Sequence, residues 1–337
     1  MNCKHVYTAN PDRYAEGVMN YRRCGTSGIR LPEISLGFWW HYGEINVYGE
    51  AREKVLYAFD HGITCFDLAN NYGPPYGSAE ETFGKIYGEN LRSHRHEMIV
   101  TTKAGYDMWP GPYGIGSSRK MLMTSIDESL HRMRLDYVDI FYSHRYDGFT
   151  PIEETMQALV DIVRSGKALY VGLSNYPADK LAEAAEYLSA RDVHPLIYQG
   201  KYNMLVRDIE EKHIGLLAKS GIGLTAFSPL AEGLLTDKYI GGNCPDGSRA
   251  ALGHHLKPSA ITPQLLARIK ALNCVAAQRG QSLAQMAVAW LLSQQHMTSV
   301  IIGPRTVEQL ADNLQALHGT CFSEDEIIEI DRILSMQ

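Results

Sequence analysis

The chain has 337 residues, of which 45% are hydrophobic and 21% charged, so it can bury a large core. Its net charge of −6 and isoelectric point near 6.1 give no electrostatic basis for binding nucleic acid. Six scattered cysteines without a C-x-x-C pair favour free thiols in a reducing, cytoplasmic compartment. Residues 1–20 lack the apolar segment of a signal peptide, and no window predicts a membrane span.

Strands and helices alternate along most of the chain. After an N-terminal arm over 1–20, we expect a single domain over 21–337, which opens with a β-hairpin at 21–36 turning at Thr26-Ser27-Gly28. The predicted strands lie at 34–36, 63–66, 99–102, 138–142, 169–173, 196–199, 224–227 and 300–302. The predicted helices lie at 50–61, 119–133, 152–164, 178–188, 211–219, 263–279 and 283–293, with a further one from Ala79 for which Ser78 is the predicted N-cap.

The strand pattern predicts an α/β fold, a (β/α)8 barrel with the N-terminal hairpin and extra C-terminal helices. Many of the eight runs are continuously apolar, as parallel strands buried on both faces should be, and most follow one another at about 30 residues, the length of a βα unit. An open doubly wound sheet is the alternative, but it would need a glycine-rich phosphate turn after its first strand. Gly37-Phe38-Trp39-Trp40-His41 is not such a turn.

Four side chains capable of proton chemistry lie at or just beyond the ends of neighbouring strands: Asp67, Tyr72, Lys103 and His144. Because the C-terminal ends of barrel strands converge on the catalytic face, we expect these residues to meet. A phenol titrates near about 10, and an adjacent ammonium would stabilise the phenolate and lower that pKa. A carboxylate would hold the ammonium in place, and a histidine could position a carbonyl and share the proton transfer.

The segments that carry these residues resemble the aldo-keto reductase superfamily. They are GITCFDLA at 62–69, VTTK at 100–103 and DIFYSH at 139–144. NNYGPP at 70–75 and KAGYDMWPGPYG at 103–114 resemble the bacterial L-glyceraldehyde 3-phosphate reductase branch, which is similar to the β subunits of voltage-gated potassium channels. The resemblance runs from the hairpin to the last helix.

The resemblance implies hydride delivery from NADPH to an aldehyde carbon, with Tyr72 protonating the alkoxide, Lys103 and Asp67 tuning Tyr72, and His144 orienting the carbonyl. For the dinucleotide it implies Trp39, Asp67, Ser174, Asn175, Gln199, Phe227, Ser228, Pro229, Leu230, Ala231, Gly233, Lys238, Arg249, Gly303, Arg305, Gln309, Asp312 and Asn313. Backbone N–H groups at a helix start and the planar fork of arginine both suit phosphate.

The predicted substrate is a small aldehyde, such as glyceraldehyde 3-phosphate, methylglyoxal or a short aromatic aldehyde. The residues expected to contact it are Trp39, Tyr72, Trp109 and His144. The aromatic residues predicted on rim loops could wall the pocket or simply pack; they are Trp39, Trp40, Tyr42, Tyr106, Trp109 and Tyr113. No metal site is predicted. The family resemblance also implies a homo-oligomer, a tetramer or octamer.

The alternative function is a nucleotide-binding regulatory subunit of a membrane channel. The channel-associated relatives carry asparagine at the fourth position of the tetrad, so His144 favours catalysis. A hydrolase has no support, because Leu173-Ser174-Asn175 lacks the glycine that a nucleophile elbow places two residues after its serine. The chain also lacks His and Cys residues at metal-ligand spacing.

Overall fold

A computed structural model describes residues 7–245, 248–253 and 256–336. Its strands are β1 Tyr21–Arg23, β2 Arg30–Pro32, β3 Ile34–Gly37, β4 Cys65–Asp67, β5 Ile99–Ala104, β6 Val138–Ser143, β7 Ala168–Ser174, β8 Pro195–Lys201, β9 Gly223–Phe227 and β10 Met297–Ile302. Its α-helices are α1 Tyr48–Asp60, α2 Ser78–Ile86, α3 Arg119–Met133, α4 Ile152–Arg164, α5 Ala178–Ser189, α6 Asp208–Lys212, α7 Ile214–Ser220, α8 Arg249–Leu252, α9 Pro263–Gln278, α10 Leu283–Ser293, α11 Val307–Leu314 and α12 Glu324–Leu334.

The predicted barrel is confirmed. Strands β3 to β10 close into a barrel in sequence order, with β10 pairing in parallel to both β9 and β3. Every residue of β6 and of β10 is buried, because the barrel interior covers one face of each strand and the helices cover the other. All eight C-terminal strand ends therefore meet at one mouth.

The predicted hairpin is β1 paired antiparallel with β2, and it covers the opposite, N-terminal end of the barrel. The thiol of Cys24 donates to Leu196 O at 3.4 Å, and Thr26 N donates to Gly221 O at 2.9 Å. Gly25 has a φ of +54°, and a Cβ there would lie 1.9 Å from Gly221 O. Only glycine allows this close contact between the hairpin and the turn before β9.

The N-terminal arm packs against the outside of the barrel, and residues 1–6 of the predicted arm lie outside the described residues. Asp60 at the end of α1 accepts hydrogen bonds from the Tyr7 hydroxyl and from Asn10 N, both at 2.7 Å. Glu97 accepts from Arg13 at 2.5 Å and Tyr14 at 2.7 Å. Although burial opposes it, hydrogen bonds from His94, Arg13 and Tyr14 lower the pKa of Glu97 to about 2. The arm is thus anchored by a carboxylate that stays ionised.

Two local predictions were wrong. Ser78 is not the N-cap of α2 but its first residue, because Gly77 occupies the cap at a φ of 90° and the Ser78 hydroxyl donates to Pro75 O at 2.6 Å. The helix predicted over 211–219 is two short helices, α6 and α7, that meet at His213. At this break the His213 ring stacks on Tyr198, with ring centres 4.9 Å apart, and lies 2.9 Å from Tyr176 O.

None of the helices in the described ranges is long and apolar enough to cross a membrane.

Candidate active site

The centre of the candidate site is an ion pair inside the barrel mouth. Asp67 ends β4 opposite Thr101 of β5, and Lys103 lies two residues further along β5. Lys103 Nζ donates to Asp67 Oδ2 and to Leu68 O, both at 2.6 Å, and Thr101 Oγ1 donates to Asp67 Oδ1 at 2.8 Å. Lys103 is fully buried. Burial lowers its pKa, and the charge of Asp67 opposes that effect, so the carboxylate favours the ammonium form.

A second buried carboxylate lies on the outward face of β5, toward the helices. Thr102 Oγ1 donates to Glu80 Oε1 at 2.5 Å, and Arg132 Nε donates to Glu80 Oε2 at 2.7 Å. Glu80 lies in α2 and is fully buried. The alternation of side chains along a strand thus sends Lys103 into the barrel and Thr102 toward the helix layer. These contacts hold β5 against α2 and so help to position Lys103 beside Asp67.

Tyr72 lies above this pair, in the turn between β4 and α2. Its backbone is fixed on both sides, since Tyr72 N donates to Ala69 O at 3.1 Å and Ala79 N donates to Tyr72 O at 3.2 Å. Lys103 Nζ is 3.4 Å from the phenol oxygen. Contrary to the expectation that lysine lowers its pKa, burial and then the charge of Asp67 raise the pKa of Tyr72 well above its ordinary value. The raised pKa favours the protonated phenol.

His144 follows β6, and its backbone N–H donates to Ala104 O at 2.9 Å. Its ring lies edge-on to Tyr72 at 5.9 Å and to Tyr106 at 4.7 Å. Among the described residues, its buried Nδ1 has no hydrogen-bond partner. Burial, then the charges of Lys103 and Arg145, lower the pKa of His144 well below its usual value. The lowered pKa favours the neutral imidazole, and its Nδ1 is left without a hydrogen-bond partner.

Three residues expected beside a nicotinamide lie next to these four. Gln199 of β8 donates from Nε2 to Asp67 Oδ1 at 2.9 Å. Asn175 follows β7 with a φ of 53°, and its Nδ2 donates to His144 O and to Ser174 Oγ, both at 3.1 Å. The structure thus joins Gln199 to Asp67 and Asn175 to His144 and Ser174, and Ser174 lies opposite Gln199 on the neighbouring strand.

Comparison with known proteins agrees with this geometry. The model of the Aldo/keto reductase family matches residues 33–335. The chain is 50% identical over 331 residues to the L-glyceraldehyde 3-phosphate reductases of Escherichia coli O157:H7 and K12, covering 97% of this chain and 95% of each relative. It is 36% identical over 305 residues to a probable voltage-gated potassium channel subunit beta of Arabidopsis thaliana, covering 89% and 91%.

The chain is an aldo-keto reductase. The reductase carries its predicted pyrophosphate loop directly after β9. Phe227 ends that strand half-buried, and Ser228 and Ala231 have positive φ angles of 54° and 46°. Asn203 Nδ2 donates to Ser228 O at 2.9 Å, which holds the first of these bends. Pro229, Leu230 and Gly233 complete the tight turn, which lies at the barrel mouth because it follows a strand end.

Several positively charged side chains lie close together beyond that loop. The guanidinium of Arg249, at the start of α8, lies 4.8 Å from the ring centre of Trp39 and 5.3 Å from that of Trp40. Arg249 Nη1 is buried and has no hydrogen-bond partner among the described residues. Burial, followed by four neighbouring cations, lowers the pKa of His41 to about 4. Those cations are Lys54, Arg305, Arg249 and Lys238. Two distant segments, 238–249 and 303–313, are thus brought to the loop after β3.

The last predicted cofactor segment follows β10. Gly303 is exposed, and Arg305 N donates to Gln309 Oε1 at 2.9 Å just before α11. Asp312 is turned toward α10 instead, where it accepts from Gln285 Nε2 at 2.6 Å. Asn313 is buried in α11. Arg305 is therefore the residue of this segment that lies near the other cations around His41, whereas Asp312 links α11 to α10.

The predicted aromatic wall is only partly at the rim. Tyr42 is fully buried, with its ring 4.2 Å from that of Phe38, so of the two alternatives left open for these residues it packs in the core and does not wall the pocket. The reason is that the loop after β3 folds back over the core. Tyr113 is 59% exposed. Trp109 is half-buried in the loop after β5, and its carbonyl would lie 1.8 Å from a Cβ on Gly114, which shows a tight turn at that point.

Sequence reasoning missed three residues at this mouth: His41, Lys54 and Arg145. Lys54 of α1 is buried, donates to His41 O at 3.3 Å and lies 4.2 Å from the ring centre of Tyr42. Burial, opposed by Glu50, lowers the pKa of Lys54 to about 8. The available signal was its place on the apolar face of the predicted helix, next to Val55. Within the described residues there is no group of three or more metal-ligating side chains able to hold an ion.

Proposed function

We propose that this protein is an NADPH-dependent oxidoreductase that reduces small aldehydes, such as glyceraldehyde 3-phosphate or methylglyoxal, to alcohols. The observation that carries the proposal is the buried set of Asp67, Lys103, Tyr72 and His144 at the barrel mouth. The 50% identity to L-glyceraldehyde 3-phosphate reductases supports the choice of substrate class.

The residues around the mouth fit an anionic dinucleotide. Arg249 Nη1 is buried without a hydrogen-bond partner among the described residues, and the neighbouring cations disfavour protonation of His41, so a bound polyanion would meet an unused donor and several positive charges. The loop from Phe227 to Gly233 would hold the pyrophosphate, while Gln199 and Asn175 would bond the carboxamide. When bound, the reduced dinucleotide supplies the hydride that the carbonyl carbon receives.

The protein's own part is to hold the carbonyl and deliver a proton. Because burial keeps Tyr72 protonated, its hydroxyl can donate to the carbonyl oxygen as that oxygen gains charge. The phenolate that remains lies beside Lys103 Nζ, 3.4 Å away, whose ammonium stabilises it. Asp67 keeps that ammonium charged and in place. A ring N–H of neutral His144 would orient the carbonyl oxygen toward Tyr72.

The test is oxidation of NADPH by the purified protein with a panel of small aldehydes: glyceraldehyde 3-phosphate, glyceraldehyde, methylglyoxal and benzaldehyde. We expect the absorbance of the reduced nicotinamide to fall, with the alcohol formed in equal amount. The Tyr72→Phe protein gives the background rate. Rates with every aldehyde equal to that background would refute the proposal.

A channel regulatory subunit remains the second candidate, because of the 36% identity to a probable potassium channel β subunit. His144 distinguishes the two. If it carries the difference, His144→Asn should bind NADPH like the unmutated protein and reduce aldehydes poorly. Equal turnover by the variant would show that this position does not separate an enzyme from a subunit.

We also propose a homo-oligomer, a tetramer or octamer, acting in the cytoplasm. The support is the resemblance to the reductase branch rather than any contact in a single chain. Light scattering coupled to size-exclusion chromatography measures the mass directly, and a monomer at micromolar concentration would contradict the proposal.

A further inference from the structure

Arg145 is a cation at the barrel mouth that the mechanism above does not use. It follows His144 after β6 and reaches across to the loop after β5, where its Nε donates to Gly105 O at 3.1 Å. Its guanidinium carbon lies 4.7 Å from the ring centre of Tyr106. The same ring lies 4.7 Å from the ring of His144. The guanidinium and the imidazole therefore contact one aromatic ring.

The charge of Arg145 is not neutralised by the protein. Among the residues that the structure describes, no carboxylate forms an ion pair with it, and its two terminal nitrogens have no acceptor. The nearby Asp147 is used elsewhere: it accepts from Ser117 N and Thr150 Oγ1, each at 2.7 Å. A half-buried guanidinium with two open nitrogens is thus left at the mouth of a protein whose net charge is −6.

We propose that Arg145 binds the phosphate of a phosphorylated short-chain aldehyde whose carbonyl lies between Tyr72 and His144, which makes it a determinant of substrate specificity. This inference rests on the proposed function. A guanidinium binds phosphate oxygens through two parallel hydrogen bonds. The bond to Gly105 O and the contact with Tyr106 hold the planar group in position, so little side-chain freedom is left to lose when the phosphate binds.

The local field favours the same kind of substrate. Lys103 and Arg145 together act on His144 strongly enough to lower its pKa beside the larger effect of burial. A phosphorylated aldehyde would be attracted to this positive mouth, and its uncharged analogue would not. No proton or electron is exchanged at Arg145. The carbonyl carbon still gains the hydride, and the carbonyl oxygen gains the proton of Tyr72.

The competing role for Arg145 is purely structural, as a link between the loops after β5 and β6. That role predicts an equal loss of activity with every substrate, because Tyr106 and His144 would shift together. The phosphate role instead predicts a loss confined to phosphorylated substrates and expressed in KM. Glyceraldehyde and glyceraldehyde 3-phosphate separate the two, since they differ only in the phosphate.

The experiment measures kcat and KM for both aldehydes in Arg145→Gln, Arg145→Lys and Lys120→Gln. In Arg145→Gln we expect KM for glyceraldehyde 3-phosphate to rise at least ~10-fold, the loss of about 1.4 kcal/mol of binding, with glyceraldehyde within about threefold. Arg145→Lys should retain part of the preference. Lys120, 5.5 Å from the ring centre of Tyr113, is a second cation near this loop, so its variant controls for general charge and should not change the ratio.

A second readout does not need turnover. Glycerol 3-phosphate should raise the melting temperature of the unmutated protein and of Lys120→Gln, but not that of Arg145→Gln. Equal losses for both aldehydes, or an unchanged ratio, would overturn the role of Arg145 and leave the proposed function standing. If Arg145→Gln does not fold, the ratio for Arg145→Lys decides. No reduction of either aldehyde by the unmutated protein would instead refute the proposed function.

Discussion

The ion pair in the barrel and the cation cluster beside it hold their charges in opposite ways. Lys103 is buried with Asp67 2.6 Å away, so both charges are matched within the protein. Lys238, Arg249 and Arg305 lie on loops and short helical turns, and within the described residues none of them forms an ion pair. The first region is complete in the free protein. The second places like charges together, with Glu232 and Asp237 as nearby carboxylates, and would be stabilised further by a bound anion.

This difference indicates which substitutions should damage the fold and which should damage only binding. Breaking a buried pair leaves a charge without compensation, whereas removing one of several like charges relieves repulsion. The predictions below use that contrast, beginning with the largest effect.

Asp67→Asn should lower the free energy of unfolding by about 3–5 kcal/mol, because Lys103 would remain buried without a counter-charge. Urea denaturation measures the change. Arg305→Ala is the matched control in the cation cluster. Because Arg305 is exposed, the free energy of unfolding of this variant should stay within about 0.5 kcal/mol of that of the parent protein. Adding Lys103→Met to Asp67→Asn should restore part of the loss. If the double variant is as unstable as the single one, the unpaired charge is not the cause.

Tyr72→Phe should reduce aldehyde turnover at least ~100-fold, the contribution of one general acid. The ring stays, so the packing and the affinity for NADPH should be nearly unchanged. Steady-state kinetics and fluorescence titration with NADPH measure the two quantities separately. Turnover within a few-fold of the parent enzyme would remove Tyr72 from its assigned role.

His144 should make the fold sensitive to acid. Its native pKa lies well below the usual value, whereas the unfolded chain binds a proton near about pH 6.5. Below that pH the unfolded state therefore holds more protons, and stability falls by up to about 1.4 kcal/mol per pH unit. His144→Asn should flatten this slope below about pH 6.5 in denaturation experiments. Parallel curves for the two proteins would contradict a buried neutral imidazole.

The smallest effect concerns the choice of dinucleotide. Three cations near one ligand are best explained by the extra 2′-phosphate of NADPH, so we expect NADPH to bind at least ~10-fold tighter than NADH, which needs about 1.4 kcal/mol. Arg305→Ala should narrow that ratio by weakening NADPH and sparing NADH. Quenching of tryptophan fluorescence titrates both. Equal affinities in the unmutated protein, or equal losses in the variant, would exclude this role for Arg305.

The sequence predicted the barrel and the meeting of Asp67, Tyr72, Lys103 and His144 for one physical reason. Parallel strands point their C-terminal ends the same way, so residues at those ends converge whatever their separation along the chain. Side-chain details were less predictable. A serine before a helical run normally caps it, but Gly77 adopts a backbone that no other residue takes easily, which moves Ser78 into the helix.

Burial of charge was the harder feature to predict. A helical lysine is expected in solvent, yet Lys54 is 1% exposed beneath the loop after β3. Its position depends on how that loop folds back, and loops carry little periodic pattern. The pKa of Tyr72 was misjudged for a related reason. Spacing along the chain showed that Lys103 and Asp67 would be near the phenol, but not that burial and the charge of Asp67 would together raise its pKa.

The two faces of β5 have a consequence for how this gene can change. Lys103 reaches Asp67 inside the barrel and Thr102 reaches Glu80 outside it. Inserting or deleting a single codon within this strand would exchange the two faces, turning the lysine toward α2 and a threonine toward the mouth. Length variation should therefore be tolerated better in the loop that follows, beyond Gly105 and Tyr106, than within the strand. New substrate preferences can arise in that loop, while the strand itself accepts substitutions alone.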